Sequence, residues 1–144
     1  MVRALRDAEI TELLDADVVA RLATIDPDGY PHVTPIWFFW VAGAFYLTSY
    51  ANRPHLERIR ANPRVGLVID VEDELRADGE RPNRQVRVIG DATLSVDASG
   101  SWTQRIRRKY VDHTIAPAAA RRYPVRERVL ITVLPRDITA VASV

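Results

Sequence analysis

Arg53, Pro54 and His55 open the stretch "RPHLERIRA", directly after a β-patterned run that ends in Thr48, Ser49 and Tyr50. The spacing of Leu56 and Ile59 predicts a helix over roughly Pro54 to Ala61. Proline suits the first helical position, where its missing N–H costs nothing. The free N–H groups of that turn, the positive end of the helix dipole and the Arg53 guanidinium then converge, an arrangement suited to an oxyanion such as phosphate. His55, Thr48 and Ser49 add donors. The same cations also read as solvated surface residues near Glu57 or an acidic loop, and no glycine-rich phosphate loop decides between the two.

A second group with chemical potential is "TPIWFFW" at 34–40, where four consecutive large aromatics flood both faces of one strand. One face can fill a core. The other needs either a partner chain, a flat ligand or the protein's own helices to cover it. His32, just before this stretch on the same predicted strand, is a candidate proton donor or a structural hydrogen bonder. The three histidines are too far apart for a helical metal site, so no metal is expected. There is no cysteine, hence no thiol nucleophile and no disulfide frame. The absence of a Gly-x-Ser-x-Gly turn leaves a serine hydrolase unsupported. Redox chemistry in this chain requires a bound cofactor.

Composition narrows the classes further. The chain has 144 residues, which predicts one domain over 1–144. Its net charge is only +1, so no nucleic-acid partner is expected. Lys109 is the only lysine beside nineteen arginines, a bias of genome composition rather than of site chemistry. No apolar run approaches a membrane span, and the mixed charges of Met1–Leu14 do not resemble a signal peptide, so neither membrane nor export is expected and the cytoplasm is the expected compartment.

The elements that must position these residues follow from periodicity and punctuation. Asp7 can cap a short helix carrying Ile10, Leu13 and Leu14. Strands are predicted over 18–26 and 30–41, joined by a turn at "PDG", and over 44–50 after Gly43. Pro31 and Pro35 cannot donate to a ladder, so part of the second strand lies at an edge or faces something other than a strand. The continuous apolar run of 64–71 predicts a strand buried on both faces, followed by a polar loop at 72–84. A strand over 85–96 carries a bulge or close approach at Gly90. Trp102, Ile106 and Tyr110 share a helix face, 116–123 predicts a short helix from Pro117, and strands over 128–135 and 137–144 close the chain. Short hairpins without βαβ alternation predict a mainly β (α+β) fold: a six- to seven-stranded antiparallel split β-barrel with short flanking helices.

The segments "RLATIDPDGYPHVTPIWF", "FYLTSYANRPHLERIRANPRVGLVID", "RQVRVIGDATL" and "RVLITVLPRDI" occur in an order and spacing that resembles the pyridoxamine 5'-phosphate oxidase-like split β-barrel family of flavin and deazaflavin oxidoreductases, over about residues 7 to 142. The resemblance implies a homodimer with cofactor sites between subunits. It implies a ring system along the second strand, at Val33, Thr34, Pro35, Ile36 and Trp37. It places the phosphate on Thr48, Ser49, Arg53 and His55, and a further cofactor contact at Gln85. The cofactor implied is FMN, with the deazaflavin coenzyme F420 as the alternative, for which Arg58, Arg60, Arg107 and Arg108 form either a basic groove or a solvated helix face. The activity implied is hydride transfer to or from a small planar molecule; the alternative is a non-catalytic carrier or sensor of the cofactor. His55 stands where the family often has lysine, and Trp37 where true pyridoxamine-phosphate oxidases carry a lysine for the substrate phosphate. Their arginine- and histidine-bearing C-terminal segment has no counterpart before Val144, so oxidation of vitamin B6 is not expected.

Overall fold

Leu22, Leu47, Leu67, Val86 and Ile131 each fill an inward position on a different strand, and all are buried. Around them the computed structural model describes residues 1–112 and 127–143. The helix expected at 116–123 and His113 lie outside the described residues. The elements run β1 (Val2–Ala4), α1 (Asp7–Asp15), β2 (Ala20–Ile25), β3 (Pro31–Ile36), β4 (Phe39–Val41), β5 (Ala44–Tyr50), α2 (Pro54–Ala61), β6 (Arg64–Glu72), β7 (Asn83–Val96), α3 (Ser101–Tyr110) and β8 (Arg128–Ser143). The strands form one antiparallel sheet in the order β3-β2-β6-β7-β8-β5-β4, with β1 on β8. This is a split β-barrel with flanking helices.

The eight strands exceed the expected six or seven for local reasons. β1 is too short for its residues to show alternation. The stretch expected as one strand over 30–41 breaks between β3 and β4, where Phe38 turns wholly into the core. The two closing strands are one sixteen-residue strand. Pro135 does not end it, because it lies opposite Gly90, where β7 shifts register against β8. A Cβ on Gly90 would sit 2.5 Å from the Leu134 carbonyl oxygen, so glycine permits the bulge that accommodates the proline's missing donor.

The strand expected to be buried on both faces, β6, is buried on one. Val65, Leu67 and Ile69 point inward, while Val68 is exposed. Gly66 pairs with Ala23 and with Ile89, and Ala23 pairs with Val33, so one outer row crosses four strands with Val33 and Ile89 open to solvent.

The helices fasten the barrel's ends. Arg6, not Asp7, is the capping residue of α1. The buried Glu9 carboxylate takes both terminal nitrogens of Arg3, at 3.0 and 2.9 Å, and Arg6 Nε at 2.6 Å. The Arg3 bonds, then those of Arg6, hold the Glu9 carboxyl down at about 2. Asp97 accepts the Trp102 and Thr103 N–H groups and so caps α3. Lys109 donates to the carbonyls of Leu14 and Phe38, tying α3 to the end of α1 and to the break between β3 and β4. The aromatic run is largely covered by the chain's own α3. Trp37 stacks on Tyr110 with centroids 4.7 Å apart, and Phe39 meets Trp102 edge-on at 6.4 Å.

Candidate functional site

α2 begins and ends where its spacing predicts, at Pro54 and Ala61, with Leu56 and Ile59 buried. The turn from β5 into it is closed by the Arg53 N–H donating to the Tyr50 carbonyl at 3.1 Å. Leu56 N–H donates to the Arg53 carbonyl, and Pro54 has no N–H. Among the described residues the His55 amide has no acceptor. The nest of free amides that the sequence suggests is reduced, because Pro54 has no N–H and that of Leu56 is spent.

Between this turn and β3 runs a groove of about 430 Å³. Thr34, Pro35 and Ile36 form one wall, Thr48, Ser49 and Tyr50 another, and Arg53, His55, Arg58 and Arg128 supply its nitrogen groups. β3 is the terminal strand of the sheet, as its two prolines require. The groove therefore joins an open strand edge to a cationic end. No carboxylate is among its described lining residues. Glu57, the acid nearest in sequence, is paired with Arg60 instead.

Each nitrogen group is held by a contact that is not an acid. Arg58 Nε donates to the buried Thr24 hydroxyl at 2.9 Å, and its terminal nitrogens have no partner among the described residues. The Arg128 guanidinium lies over the Tyr50 ring, 3.7 Å from its centroid, and Arg53 lies 5.6 Å from the same ring. Guanidiniums held by ring faces and a hydroxyl, rather than by carboxylates, keep their full charge available to an anion.

His55 differs from the expectation of an outward cation. Its ring is buried, with Nε2 2.6 Å from Ser49 Oγ. Burial first, then the charges of Arg58 and Arg53, push its pKa below the ordinary histidine value. This favours the uncharged ring, which bonds Ser49. The threonine wall is engaged too. Thr103 Oγ1 is 2.7 Å from Asp97 Oδ2 and 3.1 Å from Thr48 Oγ1. The carboxylate is the stronger acceptor for Thr103's single proton, so Thr48 donates to Thr103. The donors left for an anion are the guanidiniums and the His55 amide, joined by the Ser49 hydroxyl when the His55 Nε2–H donates to Ser49 Oγ.

The groove thus brings together seven of the sequence-derived site residues: Thr34, Pro35, Ile36, Thr48, Ser49, Arg53 and His55. Val33 points away from it, on the exposed outer face. Trp37 lines a smaller adjoining cavity of about 150 Å³ that shares Thr48 and Arg128 with the groove. Gln85 lies on β7 opposite Asp70 and Val141, its amide donating to Asn83 at 3.0 Å, and does not line the groove. Of the arginines expected along a basic groove, Arg58 lines this one and Arg107 the smaller cavity. Arg60 is paired with Glu57 and Arg108 is exposed. Tyr50 and Arg128 escape the sequence reading, because their meeting depends on the register of β5 against β8, which places them opposite each other. Arg58 was legible: four residues after Pro54, it falls on the same helix face.

His32 does not line the groove. Its Nε2 lies 2.8 Å from Asp26 Oδ2, and Asp26 also holds the turn through the N–H groups of Asp28 and Tyr30. Among the described residues no cluster of His, Asp or Glu could hold a metal, and no helix is long and apolar enough to cross a membrane.

The fold and sequence have known counterparts. The family described as pyridoxamine 5'-phosphate oxidase matches residues 7–142. Among solved structures, the chain is similar to a FAD-binding protein from Mesorhizobium loti at 24% identity and TM-score 0.69, over 100% of this chain and 99% of that one. It is similar to an F420 reductase at 25% identity and TM-score 0.61, over 88% and 93%. It is also similar to a flavocytochrome from Azotobacter vinelandii at 16% identity and TM-score 0.66, over 96% and 67%. No curated protein matches the sequence significantly.

Proposed function

The chain belongs to the pyridoxamine 5'-phosphate oxidase family, and we propose that it is a flavin-dependent oxidoreductase that binds FMN, or alternatively coenzyme F420, at a homodimer interface and transfers hydride to or from a small planar substrate. The observation that carries this reading is the carboxylate-free groove. Arg53, Arg58, Arg128 and the His55 amide suit a terminal phosphate, and the open edge of β3 at Thr34–Ile36 suits the rim of a flat ring system. When bound, the cofactor supplies the hydride chemistry. The chain's part is to hold the phosphate, align the rings along β3 and exclude water. FMN is preferred because its phosphate is short and the groove is compact. A non-catalytic carrier or sensor is the second reading, favoured by the engagement of His32, the candidate proton donor, with Asp26 outside the groove.

A titration of the purified chain with FMN and with the deazaflavin, followed by absorbance, decides the cofactor. Arg53→Ala is expected to weaken binding of the preferred one by about 1.5–3 kcal/mol, the usual worth of a hydrogen bond to a charged group. An unchanged dissociation constant removes the phosphate from this groove. Turnover with NAD(P)H or reduced deazaflavin and a quinone-like acceptor separates enzyme from carrier.

A further inference from the structure

The smaller cavity beside the groove has a chemistry of its own. Thr103, Ile106 and Arg107 stand at positions i, i+3 and i+4 of α3 and so share the face turned toward it. Opposite them are Trp37 and Arg128. Tyr110 lies parallel to one face of Trp37, at 3° between planes, and fixes the indole as a rigid wall while leaving Trp37 38% exposed. Neither Arg107 nor Arg128 has a carboxylate partner among the described residues. Arg128 rests on Tyr50 and stands at the junction, lining both the groove and the cavity. A cavity of about 150 Å³ is the size that holds one six-membered ring. Each wall pairs an apolar side chain with a guanidinium: Ile106 with Arg107 on α3, and Trp37 with Arg128 opposite.

We propose that this cavity takes a single-ring aromatic carboxylate, the ring against Trp37 and Ile106 and the carboxylate held by Arg107 and Arg128. Guanidinium pairs recognise a carboxylate by matched donor and acceptor geometry, and a phosphorylated ring with several substituents exceeds the volume. That the ligand is the enzyme's substrate rests on the cofactor reading above, since the cavity adjoins the groove through Thr48 and Arg128. That it binds does not.

Benzoate and its neutral counterpart benzamide, titrated calorimetrically into the purified protein, test the proposal. Benzoate is expected to bind at least about ten-fold tighter than benzamide, and Arg107→Gln to remove about ten-fold or more of the benzoate affinity, in line with a lost charged hydrogen bond. Arg107→Lys should recover part of it. Arg105→Gln is the electrostatic control, since Arg105 is exposed and lies over Phe39 and Trp102, outside the cavity lining. Equal affinity for the two ligands, or equal losses at Arg105 and Arg107, overturns the proposal; the wild-type comparison decides even where a variant fails to fold. An FMN titration alongside keeps the two readings apart. FMN binding without benzoate discrimination ends this inference alone. Benzoate discrimination without binding of FMN or the deazaflavin leaves the carboxylate pocket standing and ends its assignment as a flavin substrate site.

Discussion

Histidine at the start of a helix is electrostatically misplaced if it is charged, and the structure resolves this by burying it. Facing Ser49 and flanked by Arg53 and Arg58, His55 gains more from a neutral hydrogen bond than from protonation. The consequence is a pH dependence of known sign. Its folded pKa lies below its unfolded one, so the unfolded chain binds the extra proton first. The stability it contributes is present above the ordinary histidine range and is lost as pH falls through it. Thermal melts of the ligand-free protein should show a falling midpoint from pH 7.5 to 5.5, and His55→Gln should flatten that slope. A wild-type midpoint that stays level, or rises, over this window contradicts the buried neutral ring. At this scale the sequence singled out Arg53 and His55 by their place at the start of a helix, and both line the groove, but it could not tell an inward ring from an outward one. Both orientations satisfy the same helical pattern.

Among the elements, the pairing of β7 with β8 is the most constrained. Two strands of fourteen and sixteen residues stay paired only because Gly90 and Pro135 fall opposite each other at the register shift. Gly90→Ala places a methyl group 2.5 Å from a main-chain oxygen that cannot swing aside, and overpacking of this kind costs about 1–3 kcal/mol. Gly66→Ala is the contrast, for its new Cβ meets Val88 O and Ala23 Cβ at 3.6 and 3.7 Å, ordinary contact distances. It should be neutral, or stabilising by up to about 1 kcal/mol through the unfolded chain. Urea denaturation of the two variants checks the pair; similar midpoints would mean that the close approach at Gly90 is not strained by a side chain. The expected bulge or close approach at Gly90 was legible because a lone glycine in a strand has few other reasons to be there. The union of the last two strands was not, since a proline alone usually marks an end.

For the molecule as a whole, the outer face of the sheet carries an apolar row that nothing among the described residues covers. Val33 and Ile89 are 63% and 60% exposed on one row across β3, β2, β6 and β7, with Val68 beside them. We propose that a second copy covers this face, which also accounts for the apolar run of β6 reading as buried on both sides. Sedimentation equilibrium should give twice the 16.3 kDa chain mass, and Ile89→Arg should shift it toward the monomer with weaker FMN binding. A wild-type protein sedimenting as a monomer at tens of micromolar would remove both the dimer and the shared site.

The sequence alone determined what depends on local order: the bounds of α2, the edge character of a strand with two prolines, the glycine at a bulge, and an antiparallel barrel built from short hairpins. These follow from backbone preferences and side-chain alternation within a few neighbours. Tertiary structure alone decided which side chains meet. Arg128 reaches Tyr50 because β5 pairs with β8 in one register, and Arg107 joins Trp37 because α3 packs over the break between β3 and β4. Contacts between residues so far apart in the chain are set by register and packing angle, and no local pattern in the chain encodes either.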